Sequence, residues 1–142
     1  MVLISWIIFL ILSVVSGVHI GWALGMAWPA QSRAKLVSMV AGVAEGNPMP
    51  PAWLTFAVAL AIFGLGSAAI WGAGVFSAGV MDAFKGWVLL AIAAVFFLRG
   101  ALTYMPFGPL RSAVQPFRAL DLRYFAPFCL LLAAGYLVIF LG

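Results

Sequence analysis

Four runs of apolar residues account for most of this chain: 2–27, 53–74, 86–104 and 122–141. Each is long enough to cross a bilayer, which takes about 20 residues of helix. Only 7% of the residues are charged, against about 25% in a soluble domain, so the chain cannot cover a water-facing surface. The four runs and their connections use up all 142 residues. We therefore expect an all-α polytopic membrane protein, a four-helix transmembrane bundle forming a single domain over 1–142, with the lipid bilayer as its solvent.

The connections punctuate the runs. The first run carries no charge and has no basic residue before it. A signal peptide has a basic n-region and an apolar core of about 7–15 residues, so this run reads as a retained span. Pro29 and Gln31-Ser32-Arg33 are expected to end it. A loop over 30–51 follows, with a short surface helix expected over 34–44. Pro50-Pro51 is a good start for the second span. Only Arg99 interrupts the third. Residues 105–118 hold Pro106, Gly108, Pro109 and Pro116, so they are expected to form a broken loop.

Loop charges set an orientation. Arg33, Lys35, Arg111, Arg118 and Arg123 belong to the two long connections, and Lys85 stands alone on the opposite side. By the positive-inside rule both long loops are expected in the cytoplasm, with both termini outside. Aromatic belts follow the same boundaries: Trp6, Trp71, Trp87 and Tyr136 near the outer interface, and Trp28, Trp53, Tyr104 and Tyr124 near the inner one.

The polar groups in the spans, or at their edge, gather in the cytoplasmic half: His19, Arg99, Asp121 just before the fourth run, and Cys129. An ionisable residue in a span is a functional candidate, and we take His19, Trp22, Arg99, Asp121 and Tyr124 as a candidate polar cluster. Each also has a plain structural reading. Arg99 can snorkel to the interface, His19 can be a hydrogen-bonded core residue, Asp121 can N-cap the fourth helix, and Cys129 can simply pack. Arg99 is expected within reach of Asp121, and His19 to face the bundle.

Small residues recur every four positions at Gly17, Gly21 and Gly25, and again at Gly64, Ala68 and Gly72. Such spacing lets spanning helices approach closely, so these six are candidate helix-packing positions. His19 lies about 200° around the helix from Gly17. With His19 facing inward, the glycine stripe would face out, as the seam of a homodimer or of a contact with a partner membrane protein.

Several chemistries lack their parts. No span has an internal acid to exchange protons for cations. A single histidine cannot ligate a haem twice, and a His/Met pair with Met26 or Met105, though conceivable, has only loose methionines in an apolar chain to support it. Ser16, His19 and Asp121 would have to converge for a hydrolase, and nothing marks Ser16 as a nucleophile. No phosphate loop or HxxxH spacing is present. One cysteine excludes an internal disulfide and any CxxC motif. The pI near 9.9 arises from charges in short loops and not from a basic face, so no nucleic acid is expected. No catalytic, metal or cofactor residues are expected, although an enzyme is not excluded.

Three polar motifs carry a family resemblance. They are His19 with Gly21-Trp22-Ala23-Leu24-Gly25 and Trp28-Pro29, then Arg99-Gly100, then Leu120-Asp121 before Tyr124-Phe125-Ala126-Pro127-Phe128-Cys129-Leu130. In this order they resemble the bacterial membrane proteins grouped as domain of unknown function 3995. The chain departs from that pattern at Met26, where a second glycine is common, and at Ala126, where a serine often precedes the proline. The resemblance implies four spans and no activity. We expect a small binding or accessory module of the bacterial inner membrane, holding a lipid, a small apolar ligand or a partner membrane protein. The alternative is a small membrane enzyme or transporter using His19, Arg99 and Asp121 together.

Overall fold

The computed structural model describes residues 1–44, 46–106 and 113–142, and over these it is helical with no strand. Glu45 and residues 107–112 lie outside the described residues, and with them the loop expectations that rest on Gly108, Pro109 and Arg111. Four helical stretches are long and apolar enough to span a membrane: α1 (Val2–Ala23), α3 (Ala52–Gly72), α4 (Lys85–Tyr104), and α6 (Ala126–Leu141) taken together with the helical turns from Phe117 that lead into it. A short α2 (Arg33–Val40) lies between α1 and α3. A 3-10 turn (Gly79–Phe84) leads into α4. One helical turn, α5 (Phe117–Leu120), runs through a π-helical turn (Asp121–Phe125) into α6.

Glycine, not proline, stops the first two spans. Gly25 has φ +102°, its N–H bonds the carbonyl of Trp22, and the N–H of Met26 reaches back to Gly21. Gly74, φ +74°, repeats the pattern with bonds to Trp71 and, from Val75, to Ile70. Both are Schellman closures, which need the left-handed conformation that glycine adopts freely. The first span thus ends at Ala23, four residues short of the expected limit and well before Pro29.

The helices form two antiparallel hairpins, α1 with α3 and α4 with α6, and these are the extensive seams. Between hairpins the contacts are sparser: α3 with α4, α1 with α6, and α3 with α6 across the centre. That diagonal contact leaves α1 and α4 at opposite corners. The shared core includes Ile8, Leu12, Ala69, Leu89, Ile92, Leu132 and Ile139. Large apolar residues such as Leu3, Val14, Leu60, Val95 and Leu131 face outward, which costs nothing in lipid. Without a hydrophobic drive, packing and hydrogen bonds must hold the helices together. Ser16 Oγ donates to the Ala59 carbonyl at 2.8 Å, joining α1 to α3.

Tyr136 corrects the aromatic-belt reading. It is fully buried in the core, stacks on Phe96 with ring centroids 5.9 Å apart, and donates its hydroxyl to the Leu65 carbonyl at 2.6 Å. The phenol finds an acceptor on α3, so it has no need of the interface.

The two long connections meet at one end of the bundle. Val114 N donates to the Gly42 carbonyl at 3.2 Å, and α2 packs on α5. Ser32 caps α2 by accepting from Lys35 N. The helix expected to lie on the surface instead buries Leu36 and Val37 completely, because α5 covers one of its faces.

Candidate functional site

Arg99 stands on α4, and four residues later on the same face is Thr103. Asp121 opens the π turn on the facing arm of the helical hairpin. Arg99 Nη2 donates to Asp121 Oδ1 at 2.5 Å. Arg99 Nη1 donates to Thr103 Oγ1 at 2.9 Å, and Thr103 in turn donates to Asp121 Oδ2 at 2.8 Å. Asp121 has no exposed surface, while the Arg99 side chain keeps 35% of its own. Both carboxylate oxygens are therefore engaged, and the buried charge has its counter-ion. Asp121 does not cap α6, because the chain is already helical from Phe117 and the residue lies inside the helix. Thr103 was not foreseen; its spacing of four from Arg99 was the available signal.

The π turn has a local cause. Ala126 N bonds the carbonyl of Asp121, five residues back. The next bond in that register would run from residue 127 to Leu122, but Pro127 has no N–H. Tyr104 of α4 supplies the missing donor: its hydroxyl bonds the Leu122 carbonyl at 3.1 Å. Such bulges are frequent where helices carry functional groups, and here the bulge opens at Asp121.

His19 and Trp22 form a second, separate group on α1. His19 Nδ1 lies 2.8 Å from the Val15 carbonyl, and its ring sits 4.7 Å from that of Trp22. The indole N–H of Trp22 donates to the Trp28 carbonyl at 2.6 Å. Both rings line a half-enclosed cavity of about 190 Å³, walled also by Leu54, Thr55 and Val58 of α3 and by Met49. His19 faces this inter-helix hollow. It does not join Arg99 and Asp121, which belong to the other hairpin, so four of the five candidate residues divide into two sites. Tyr124 is exposed and stacks under the guanidinium of Arg123, 5.5 Å from its ring centre.

The small-residue positions also divide. Gly25 has left the helix, as described, so Gly17, Gly21 and Gly25 do not make one stripe. Gly21 is covered by the side chain of Met26, whose sulfur would lie 2.7 Å from an added Cβ. Gly17 and Gly64 have nothing within 4 Å of that point. Gly72 meets Leu89 and Ile139, and Ala68 packs on the core. Two glycines outside both repeats come close to the backbone of a neighbouring helix: Gly66, against Leu12 and Phe9, and Gly100, against Leu130 and the Ala126 carbonyl.

At the opposite end, Asp82 accepts from Ser77 Oγ at 2.5 Å, from Trp71 Nε1 at 2.6 Å and from Ala78 N at 3.1 Å. The Ser77 bond, then the Trp71 and Ala78 bonds, hold its carboxyl at about 2, below the ordinary 3.8. Lys85 lies 5.9 Å from the centre of the Trp71 ring. This arrangement pins the turn between α3 and α4. Among the described residues no three His, Cys, Asp or Glu side chains gather as metal ligands.

Four apolar spanning helices and two small polar sites make this a polytopic helical membrane protein. Residues 12–136 match the model of a family described as Protein of unknown function (DUF3995). The match covers most of the chain, and the chain belongs to that family. No curated protein and no solved structure matches it.

Proposed function

We propose that the protein is a small binding module of the bacterial inner membrane, with the cavity at His19 as its ligand site. The observation that carries this reading is one polar ring set among apolar walls on two helices and the segment that joins them. Binding sites commonly combine apolar walls with a few placed polar groups. A dry cavity of about 150 Å³ takes up benzene, so a hollow of about 190 Å³ suits a ring or a short chain. The Arg99–Thr103–Asp121 group supports the scaffold, since each of its members is already hydrogen-bonded to the others.

Toluene tests the site directly. In lipid nanodiscs it should shift the ¹³C-methyl resonance of Met49, assigned with Met49→Leu, and the shift should saturate. Val58→Trp should fill the cavity and abolish that shift. A shift that grows linearly with toluene and ignores Val58→Trp would defeat the reading.

We further propose that both termini lie outside and both long loops in the cytoplasm, supported by Arg33, Lys35, Arg118 and Arg123 against Lys85. A periplasm-active reporter fused to Gly142 should be active and a cytoplasm-active one silent. The reverse result would invert the orientation.

A further inference from the structure

The hydrogen-bonding groups around the His19 cavity are not neutral in their demands. A carbonyl only accepts, so the 2.8 Å contact with Val15 puts the proton of the neutral imidazole on Nδ1. Nε2 then keeps its lone pair. The Trp22 N–H, the one donor an indole has, is engaged by the Trp28 carbonyl. Thr55 directs its hydroxyl at the Pro51 carbonyl, 3.4 Å away, and keeps its lone pairs. Pro50, also in the wall, has no N–H to offer. Among the described residues, every side-chain donor lining the cavity is thus committed within the protein, and the side-chain groups that remain are acceptors. No carboxylate lines the cavity among the described residues, so none of these offers a cation a counter-charge there.

We infer that the cavity selects a neutral hydrogen-bond donor, a hydroxyl on an apolar body, and that His19 Nε2 is the atom that receives it. This rests on the cavity being a ligand site, and it narrows the class of occupant. Carbonyl and ether analogues of the same shape have no donor to offer, and carboxylates and phosphates would find no uncommitted side-chain donor among these residues. A buried polar group left unpaired is the usual basis on which a site rejects an isostere.

The chain has a single histidine, so ¹⁵N-histidine labelling reports on this ring alone. The probes are p-cresol, 4-methylanisole and toluene, titrated into nanodiscs at matched membrane concentrations. The ligand-free spectrum should show protonated Nδ1 and unprotonated Nε2. p-Cresol should move the Nε2 resonance saturably and should half-saturate the Met49 methyl shift roughly three- to tenfold below the other two probes, the worth of one net hydrogen bond. His19→Leu should remove that preference while toluene still binds. If all three probes saturate the Met49 shift equally and Nε2 does not move, the cavity stands as a ligand site and the hydroxyl selection is wrong. A ligand-free ring protonated at Nε2 would overturn the selection by itself. If no probe gives a saturable Met49 shift, the ligand site fails, and the selection with it.

Discussion

Arg99 and Asp121 are bound to each other from unequal surroundings: the carboxylate is wholly enclosed, and the guanidinium still reaches the outside with a third of its side chain. The consequence is an asymmetry in what each partner's loss would do. Removing the arginine strands a buried charge, which costs about 3–5 kcal/mol. Removing the acid leaves an arginine that can snorkel along its own stem. We expect Arg99→Leu to lower the unfolding temperature in nanodiscs clearly more than Asp121→Asn. The double variant Arg99→Leu/Asp121→Leu should recover part of the loss, since no charge then remains to be solvated. Equal losses from the two single variants would show that the burial difference is without energetic weight.

The glycines provide a second contrast. A methyl at Gly100 would sit 2.8 Å from Leu130 Cγ and 2.9 Å from the Ala126 carbonyl oxygen. The backbone atom cannot swing aside, so Gly100→Ala is expected to destabilise by about 1–3 kcal/mol through overpacking. Gly17 has open space at the same point, and Gly17→Ala should be neutral or mildly stabilising through helix propensity. Thermal unfolding of both variants in the same lipid checks this. A neutral Gly100→Ala would mean that α4 and α6 sit farther apart than described.

How far the sequence disclosed this arrangement depends on the range of the signal. The spans were legible because length and apolarity are local properties, and Arg99 facing Asp121 followed from the cost of an unpaired charge in lipid. The glycine faces were not legible. Spacing alone cannot tell Gly66 or Gly100, which meet a neighbouring helix, from Gly64, which meets none. Nor does spacing reveal that Gly25 serves as a helix stop. The separation of His19 from Arg99 was hidden for a related reason. Both lie near the same end of their spans, but depth along a helix does not say which corner of the bundle it occupies. That is set by the diagonal contact of α3 with α6.

The turn at the other end is expected to respond to acid. Asp82 is held ionised by three donors at about 2, below its ordinary value. A depressed carboxyl pKa contributes stability that is complete above the ordinary value and lost as pH falls toward the folded one. The window is therefore about pH 4 down to 2. The chain has only three acidic residues, which keeps the assignment tractable. Wild type should be more thermostable than Asp82→Asn at pH 5, and the gap should shrink at pH 2.5. A gap of the same size at both values would show that the ionised carboxylate contributes nothing.

Tyr104 and Pro127 never touch in the hydrogen-bonding sense, yet their roles are linked through one carbonyl. Pro127 withholds the N–H that the π register would send to Leu122, and Tyr104 replaces it. Tyr104→Phe should therefore cost about 1 kcal/mol, the usual net worth of one hydrogen bond. Pro127→Ala restores a backbone donor in the helix itself. In that background the carbonyl no longer needs the phenol, and Tyr104→Phe should cost close to nothing. A double-mutant cycle on thermal or denaturant unfolding in a fixed lipid isolates the coupling from each variant's separate effect. Additive losses would break the link. They would leave the π turn to be explained by the packing around Asp121 instead, whose carboxylate must reach both Arg99 and Thr103 from a single helical position.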